Sequence, residues 1–249
     1  MFRERILVAA ILLTACGGAP PPTPAPTPSD SASASAAPDA SAPKPEGEAD
    51  KPFTEIPTAC DGKGAKVCTP PAAFVKRLCG DSFPDVALAM FAKGTPWTRG
   101  YVRREVEAWN ASGGASSSAK LALDEEVLIV AHRAADTGGM VVSGASGSYD
   151  ILRWDGHCAS LMGEEVSTRA PASPKNARIP WRSLGEPIRD ALFADEKVGK
   201  IAAERKKECK GQTMGEVSGK CEKVDTQLSV AIANYVRGGG SLPPPSKLP

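Results

Sequence analysis

The 249-residue chain has no long apolar run, almost no net charge and few aromatic residues. The apolar run at residues 6–13 is much shorter than the ~20 residues that a transmembrane helix requires. The 30 Lys and Arg residues balance 29 Asp and Glu residues, whereas nucleic-acid-binding proteins carry a clear basic surplus. We therefore expect neither a membrane-spanning helix nor a nucleic-acid partner.

Side chains suited to acid–base or metal chemistry are also scarce. The only histidines are His132 and His157. His157 adjoins Cys158, but neighbours on a predicted strand point to opposite faces. The chain has no Gly-x-Ser-x-Gly motif and no Cys-x-x-Cys pair, and its cysteine spacings fit no common zinc site. The sequence thus predicts no catalytic constellation, no metal and no cofactor.

Three other charged motifs stand out: Glu125-Glu126, Glu164-Glu165 and the basic run at residues 205–207. Because alternate residues of a strand face opposite sides, we expect each acidic pair to lie at an edge or in solvent. The basic run falls near the end of a predicted helix, where cations interact favourably with the helix dipole.

The first sixteen residues combine two arginines, the apolar run and small residues, which is the layout of a secretory signal peptide over residues 1–15. The segment Leu13-Thr14-Ala15-Cys16 resembles the lipobox of bacterial lipoproteins. This resemblance implies that Cys16 is acylated and anchors the exported protein to the cell membrane. Gly17, where an aspartate would favour the inner membrane, implies the outer membrane of a Gram-negative host. The alternative is an ordinary signal peptide with a chance cysteine.

Residues 16–57 are rich in proline, alanine and serine, hold 11 of the 23 prolines and show no hydrophobic periodicity. Such a segment cannot bury enough apolar surface to offset the entropy of ordering it. We expect a disordered, semi-stiff tether that reaches on the order of 100 Å. Its two lysines and six acidic residues give it a charge of −4. The single folded domain is then expected at residues 58–237, and it is mildly basic.

The first part of this domain, residues 58–96, is predicted to be helical. Thr69 before Pro70 fits an N-cap followed by a proline in the first turn. A second helix is expected to begin at Pro84 and to stop at Gly94. Apolar residues share one face of the first helix: Phe74, Val75 and Leu78.

Residues 97–168 are predicted to form β-structure. The run Val127-Leu128-Ile129-Val130 suits a buried strand, and residues 140–142 suit another. Asp155-Gly156 between strand formers indicates a hairpin in which both turn positions adopt positive φ. We expect a small antiparallel meander or barrel. The order of these strands resembles a bacterial Src-homology-like barrel, a type of module that often binds peptidoglycan or peptides.

Helical periodicity returns at residues 184–237, after a proline-marked connector. Two apolar series with a spacing of four residues predict a helical hairpin, and Gly238-Gly239-Gly240 ends it. Residues 238–249 are expected to be a disordered tail. The apolar series are Leu184, Ile188 and Leu192, and Val224, Leu228, Ile232 and Val236. The predicted fold is therefore α+β, with a small antiparallel sheet between an N-terminal helical pair and a C-terminal helical hairpin.

Six cysteines remain besides Cys16: Cys60, Cys68, Cys79, Cys158, Cys209 and Cys221. An even set in an exported protein indicates disulfides. Cys209 and Cys221 lie at the facing ends of the helical hairpin, so we predict that they pair and contribute ~2–4 kcal/mol. Three connectivities remain for the other four. Pairing Cys68 with Cys79 is disfavoured, because the intervening helix separates its ends by ~15 Å, beyond the ~7 Å that a disulfide allows between Cα atoms.

These features favour a non-enzymatic envelope lipoprotein whose folded domain binds cell-wall material, such as peptidoglycan, or an envelope protein. Two alternatives stay open. One is a hydrolase of cell wall or exported peptides that uses His132 or His157, and the other is a passive subunit of an outer-membrane complex. In its general composition and organisation, the whole chain is similar to the Ala/Pro-rich lipoproteins of high-GC Gram-negative bacteria such as myxobacteria. This likeness implies no activity.

Overall fold

The computed structural model describes residues 52–61, 67–111, 119–134, 147–210 and 219–249. Within these ranges the chain is an α+β protein with five α-helices and one seven-stranded sheet, which confirms the predicted fold class. The helices are α1 (Ala72–Leu78), α2 (Pro84–Met90), α3 (Glu186–Ala194), α4 (Glu196–Glu208) and α5 (Lys220–Gly238). The strands are β1 (Arg99–Val102), β2 (Val106–Asn110), β3 (Ala119–Leu121), β4 (Glu126–Arg133), β5 (Ser148–Leu152), β6 (Cys158–Met162) and β7 (Val166–Ser167). Over the described ranges, the helices are too short or too polar to cross a membrane.

The sheet is antiparallel, with the strand order β3-β2-β6-β5-β4-β1-β7. It contains a meander of β4, β5 and β6, but β3 and β7 remain at its two edges. The sheet is therefore open, and the closed barrel given above as an alternative is not formed. Residues 127–130 of β4 are fully buried, as predicted. The strand expected at residues 140–142 lies outside the described residues.

The hairpin between β5 and β6 forms where it was predicted, but its turn differs. The amide of Arg153 donates to the carbonyl of His157 over 2.9 Å, so the loop holds three residues. Gly156 alone of the turn residues has positive φ, at 82°, which fits a three-residue loop closed by a left-handed glycine. A Cβ at Gly156 would lie 2.5 Å from the backbone of Phe83. Glycine therefore lets this turn pack directly against the start of α2.

The two N-terminal helices lie close to their predicted positions. α1 begins at Ala72 with Pro71 as its N-cap and has no side-chain cap, so Thr69 does not cap it. The predicted apolar face of α1 is buried, and α2 begins at Pro84 as expected. Both helices cover the same face of the sheet, where the larger hydrophobic cluster lies. A smaller cluster covers the opposite face.

The C-terminal helical region contains three helices where two were expected. The side chain of Asp195 accepts hydrogen bonds from the amides of Lys197 and Val198, at 3.1 and 3.0 Å. Asp195 thus ends α3 and caps a new helix, α4. α4 and α5 then pack together as the helical hairpin. Gly239, with a φ of 91°, ends α5 as the glycine run predicted.

Both ends of the described domain pack more tightly than the sequence suggested. The ring of Phe53 meets that of Phe74 edge-on, with centroids 5.0 Å apart, so the folded part begins before residue 58. Leu242 and Leu248 pack against the larger hydrophobic cluster. The hydroxyl of Ser246 lies 3.3 Å from a carboxylate oxygen of buried Asp85. Residues 239–249 are therefore an ordered strap and not the disordered tail that their lack of periodicity predicted.

Three disulfides cross-link the domain. Cys209 pairs with Cys221, as predicted, with Cα atoms 5.0 Å apart. The other pairs are Cys60–Cys68 and Cys79–Cys158, with Cα separations of 4.9 and 5.1 Å. Cys68 does not pair with Cys79, in agreement with the helix-length argument. The Cys79–Cys158 bond joins the end of α1 to β6, so the helical and strand layers form one covalently linked unit.

Candidate functional site

A polar cleft opens between the turn that joins β5 to β6 and the segment that precedes α3. We call it the arginine cleft. Its volume is about 510 Å³, which falls within the range of small-ligand sites. The indole ring of Trp181 lines one side of the cleft, and the buried carboxylate of Asp225 on α5 lies at the bottom of the cleft. The other charged and polar residues along it are Ser82, Arg153, Asp155, His157, Arg178, Arg182 and Ser183.

The hairpin turn supplies one side of the cleft. Arg153 binds Glu125 through Nε, at 3.3 Å, and Asp155 through Nη1, at 3.0 Å. The second oxygen of Asp155 accepts the backbone amide of His157 at 3.1 Å and lies 3.5 Å from its Nδ1. His157 is exposed. These bonds fix the turn, so its charged groups hold their positions without a ligand.

The floor of the cleft is a buried carboxylate with several donors. Asp225 accepts Nε and Nη2 of Arg178 at 3.1 and 2.6 Å, the indole of Trp181 at 3.4 Å, and Nε of Arg205. Burial works to raise the pKa of Asp225, but the hydrogen bonds from Arg205, Arg178 and Trp181 outweigh it, so the pKa lies below its ordinary value of 3.8. Asp225 is therefore an anion that organises the cleft and is not an acid that could donate a proton.

Trp181 and Arg182 occupy a short 3₁₀ turn between the connector and α3. The guanidinium of Arg182 lies over the Trp181 ring, 5.0 Å from its centroid, and that of buried Arg205 lies 4.7 Å away. Arg182 is exposed. Among the described residues, no carboxylate pairs with Arg182, so its exposed guanidinium is held by stacking.

The charges of the cleft do not cancel. Three arginines and two aspartates line it, which leaves +1 with His157 neutral. The partners just behind the lining, Glu125 and Arg205, add one charge of each sign and leave the sum unchanged. The cleft can thus attract and hold one negative charge.

The residues singled out in the sequence fall in different places. His157 lines the cleft, whereas His132 lies on β4 with its ring 4.9 Å from that of Tyr149. Cys158 is bonded to Cys79, so it offers no thiolate to His157. Cys16 lies outside the described residues.

Of the four glutamates in the acidic pairs, Glu164 is exposed as expected, whereas the other three are buried. Glu125 and Glu126 are both buried, and each binds arginine: Glu125 binds Arg153, whereas Glu126 binds Arg99 and Arg237. Glu165 is also buried and pairs with Arg104 at 2.8 Å. These carboxylates are parts of structural ion pairs, because distant arginines neutralise them. Of the basic run at 205–207, Arg205 is likewise buried and binds Asp225 instead of acting only on the helix dipole.

No protein-family model, curated protein or solved structure matches this chain. The chemistry of the cleft is therefore inferred from the residues that line it. Sequence reasoning missed Arg178, Trp181 and Arg182, which it assigned to a connector. A tryptophan flanked by arginines, in the run Arg178-Ile179-Pro180-Trp181-Arg182, was the available signal.

Proposed function

We propose that the protein is a lipid-anchored, non-enzymatic module of the bacterial envelope that binds cell-wall material or a protein partner through the arginine cleft. The observation that carries the proposal is the convergence of Arg153, Arg178 and Arg182 beside one tryptophan. Guanidinium groups suit planar anions, because they donate paired hydrogen bonds in a fixed geometry. The cleft is built on a disulfide-linked scaffold, which limits the entropy lost on binding.

The proposed localisation of the protein supports this function. The resemblance of residues 13–16 to a lipobox implies acylation of Cys16 and attachment to the cell membrane, with the outer membrane favoured. Three disulfides fit an oxidising, exported compartment. In this proposal, the tether between Cys16 and Phe53 extends the domain away from the membrane surface, so that its cleft meets ligands of the envelope.

The test is sedimentation of the full-length protein with purified cell wall, together with cross-linking in native membranes. We expect co-sedimentation or a specific cross-linked partner, and a clear decrease in the double variant Arg178→Ala/Arg182→Ala. The control is the double variant Arg169→Ala/Lys200→Ala, which removes the same two positive charges from exposed positions, one after β7 and one on α4. Binding in neither assay contradicts the proposal. If a complex loses stability without the protein while no ligand binds the cleft, the passive-subunit alternative holds instead.

A second candidate, a hydrolase, is favoured by one observation: Ser82, Asp155 and His157 all line the cleft. The Asp155–His157 contact orients the imidazole, as a catalytic triad requires. However, the hydroxyl of Ser82 donates to the carbonyl of Asp155 at 3.1 Å, so it would have to rotate to serve as a nucleophile. Hydrolysis of wall fragments or peptides by the protein, abolished in both Ser82→Ala and His157→Ala, would establish this candidate. Unchanged hydrolysis in these variants removes it.

A further inference from the structure

We propose that the arginine cleft binds a carboxylate of a peptide, and that a nearby apolar side chain of the same peptide occupies a groove on the other side of Trp181. This inference rests on the proposed binding function and names its ligand class. It follows from three features: a preorganised guanidinium, a single excess charge and an adjacent apolar cavity.

Arg182 carries the guanidinium group of the cleft that is preorganised to donate hydrogen bonds to a ligand. Its guanidinium stacks on Trp181, and its own carbonyl accepts Nη1 of Arg189 at 3.0 Å. Both the backbone and the side chain of Arg182 are therefore held in place, while the side chain remains exposed. An anion that binds it gains charge-assisted hydrogen bonds without much loss of side-chain entropy.

The charge of the cleft selects a monoanion. The sum of +1 is neutralised by one carboxylate, whereas a phosphate dianion would leave an excess negative charge beside Asp155 and Asp225. Every other arginine of the cleft already binds carboxylates of the protein: Arg153 binds Glu125 and Asp155, and Arg178 binds Asp225. Arg182 completes this pattern when a carboxylate arrives from outside.

The neighbouring cavity decides between peptide and sugar. This apolar groove, of about 450 Å³, lies along α3, α4 and α5 and shares Trp181 with the cleft. Its other apolar lining consists of Phe193, Gly199, Ala202, Ala203 and Leu228, and the side chains of Arg205 and Lys206 complete the lining. An acidic sugar offers a carboxylate but no aliphatic side chain, whereas a peptide offers both. A ligand that spans Trp181 therefore needs an acidic and an apolar residue close together.

The experiment measures fluorescence anisotropy of labelled synthetic peptides with the full-length protein. Each peptide carries one Asp and one Leu, separated by a glycine spacer of varied length, and matched peptides replace Asp by Asn or Leu by Gly. We expect at least one spacing to bind, with an affinity about tenfold to one-hundredfold higher than its Asn counterpart. A substantial loss is also expected for the peptide that lacks Leu.

Two protein variants locate the two halves of the site. Arg182→Ala should lower the affinity for the Asp-containing peptide about tenfold or more, and Arg182→Ala should no longer distinguish Asp from Asn. Ala203→Gln, which places a polar side chain in the groove on an exposed helical position, should remove the preference for Leu. The matched controls are Arg169→Ala and Glu204→Gln, both exposed and outside the two cavities. Far-ultraviolet circular dichroism verifies that each variant is folded.

The outcomes separate this inference from the proposed function. Equal binding of Asp and Asn peptides, or unchanged binding to Arg182→Ala, overturns the peptide site. Tighter binding of an oligogalacturonate than of every peptide overturns the choice of ligand class. If the protein still sediments with cell wall or cross-links to a partner in these cases, the proposed function stands and only the inference about the ligand fails.

Discussion

Substitution of Asp225 by asparagine tests whether this carboxylate organises the cleft. Asn keeps the size of the side chain but removes its charge, and so leaves the guanidinium of Arg205 buried without a counter-ion. The side chain of Arg205 is only 7% exposed, whereas that of Arg178 is 69% exposed. The loss of the Arg178 pair should thus cost at most about 1 kcal/mol, and the Arg205 pair determines the result.

The expected magnitude follows from the burial of Arg205. Breaking a buried ion pair by removing one partner costs about 3–5 kcal/mol. Because the amide oxygen of Asn can still accept one hydrogen bond, we expect a decrease of about 3 kcal/mol in the free energy of unfolding at neutral pH. Urea unfolding with the disulfides intact, followed by tryptophan fluorescence and circular dichroism, measures this difference.

The pH dependence gives an independent check. The pKa of Asp225 is lowered below 3.8 in the folded protein, so its stabilising contribution is complete above that value. The contribution is lost as the pH falls through the lowered native pKa. The difference between the wild type and Asp225→Asn should therefore be constant near neutral pH and shrink in strong acid.

The control is Asp190→Asn, the same substitution at an exposed position of α3. It should change the free energy of unfolding by less than about 0.5 kcal/mol. If Asp225→Asn costs less than about 1 kcal/mol, the Arg205 pair is not the buried interaction described above. A difference that stays constant down to pH values far below 3.8 would likewise refute the assignment of a lowered pKa.

The remaining predictions concern the cysteines. Replacement of Cys79 and Cys158 by alanine should lower the free energy of unfolding by about 4 kcal/mol, and replacement of Cys209 and Cys221 should lower it by about 3 kcal/mol. The first value is larger because that disulfide closes the longer loop. Urea unfolding measures both differences, and the reverse order would contradict this account. Mass spectrometry after alkylation without reduction should find the six cysteines of these pairs and of Cys60–Cys68 unmodified, and six free thiols would contradict the disulfides. In the producing cell, Cys16→Ser should move the protein from the detergent phase to the aqueous phase on Triton X-114 partition, and retention in the detergent phase would count against a lipid anchor.

Local patterns in the sequence predicted those parts of the fold that depend on local physics. Four consecutive apolar residues at 127–130 predicted a buried strand, since no alternation placed a polar group there. The apolar face of α1 and the glycine that ends α5 followed equally from periodicity and from backbone preference. The Cys209–Cys221 bond followed because the two cysteines lie at the facing ends of the two helices of a hairpin.

The candidate site depends on contacts between distant parts of the chain. Arg178 and Asp225 are 47 residues apart, and Glu126 and Arg237 are 111 residues apart. The sequence gives the charges of these residues but not which of them meet. Adjacent glutamates therefore suggested solvent exposure, although long-range arginines permit their burial. The C-terminal strap was missed for a related reason, because two isolated leucines among prolines anchor it without any periodic pattern.

The Cys79–Cys158 bond also determines how the domain responds to a mechanical pull. A force applied to the chain before Phe53 acts first on the edge-on contact between Phe53 and Phe74. This contact can be lost without any change in the sheet. After this contact is lost, only the segment between Phe53 and Cys79 can be extended by the force. The Cys60–Cys68 disulfide closes a loop within this segment and so reduces the length that can be extended. The load then passes through sulfur into β6, which has β2 and β5 on its two sides. Extraction of β6 would require its hydrogen bonds to both neighbouring strands to break, so the sheet should resist the load more than the N-terminal segment does.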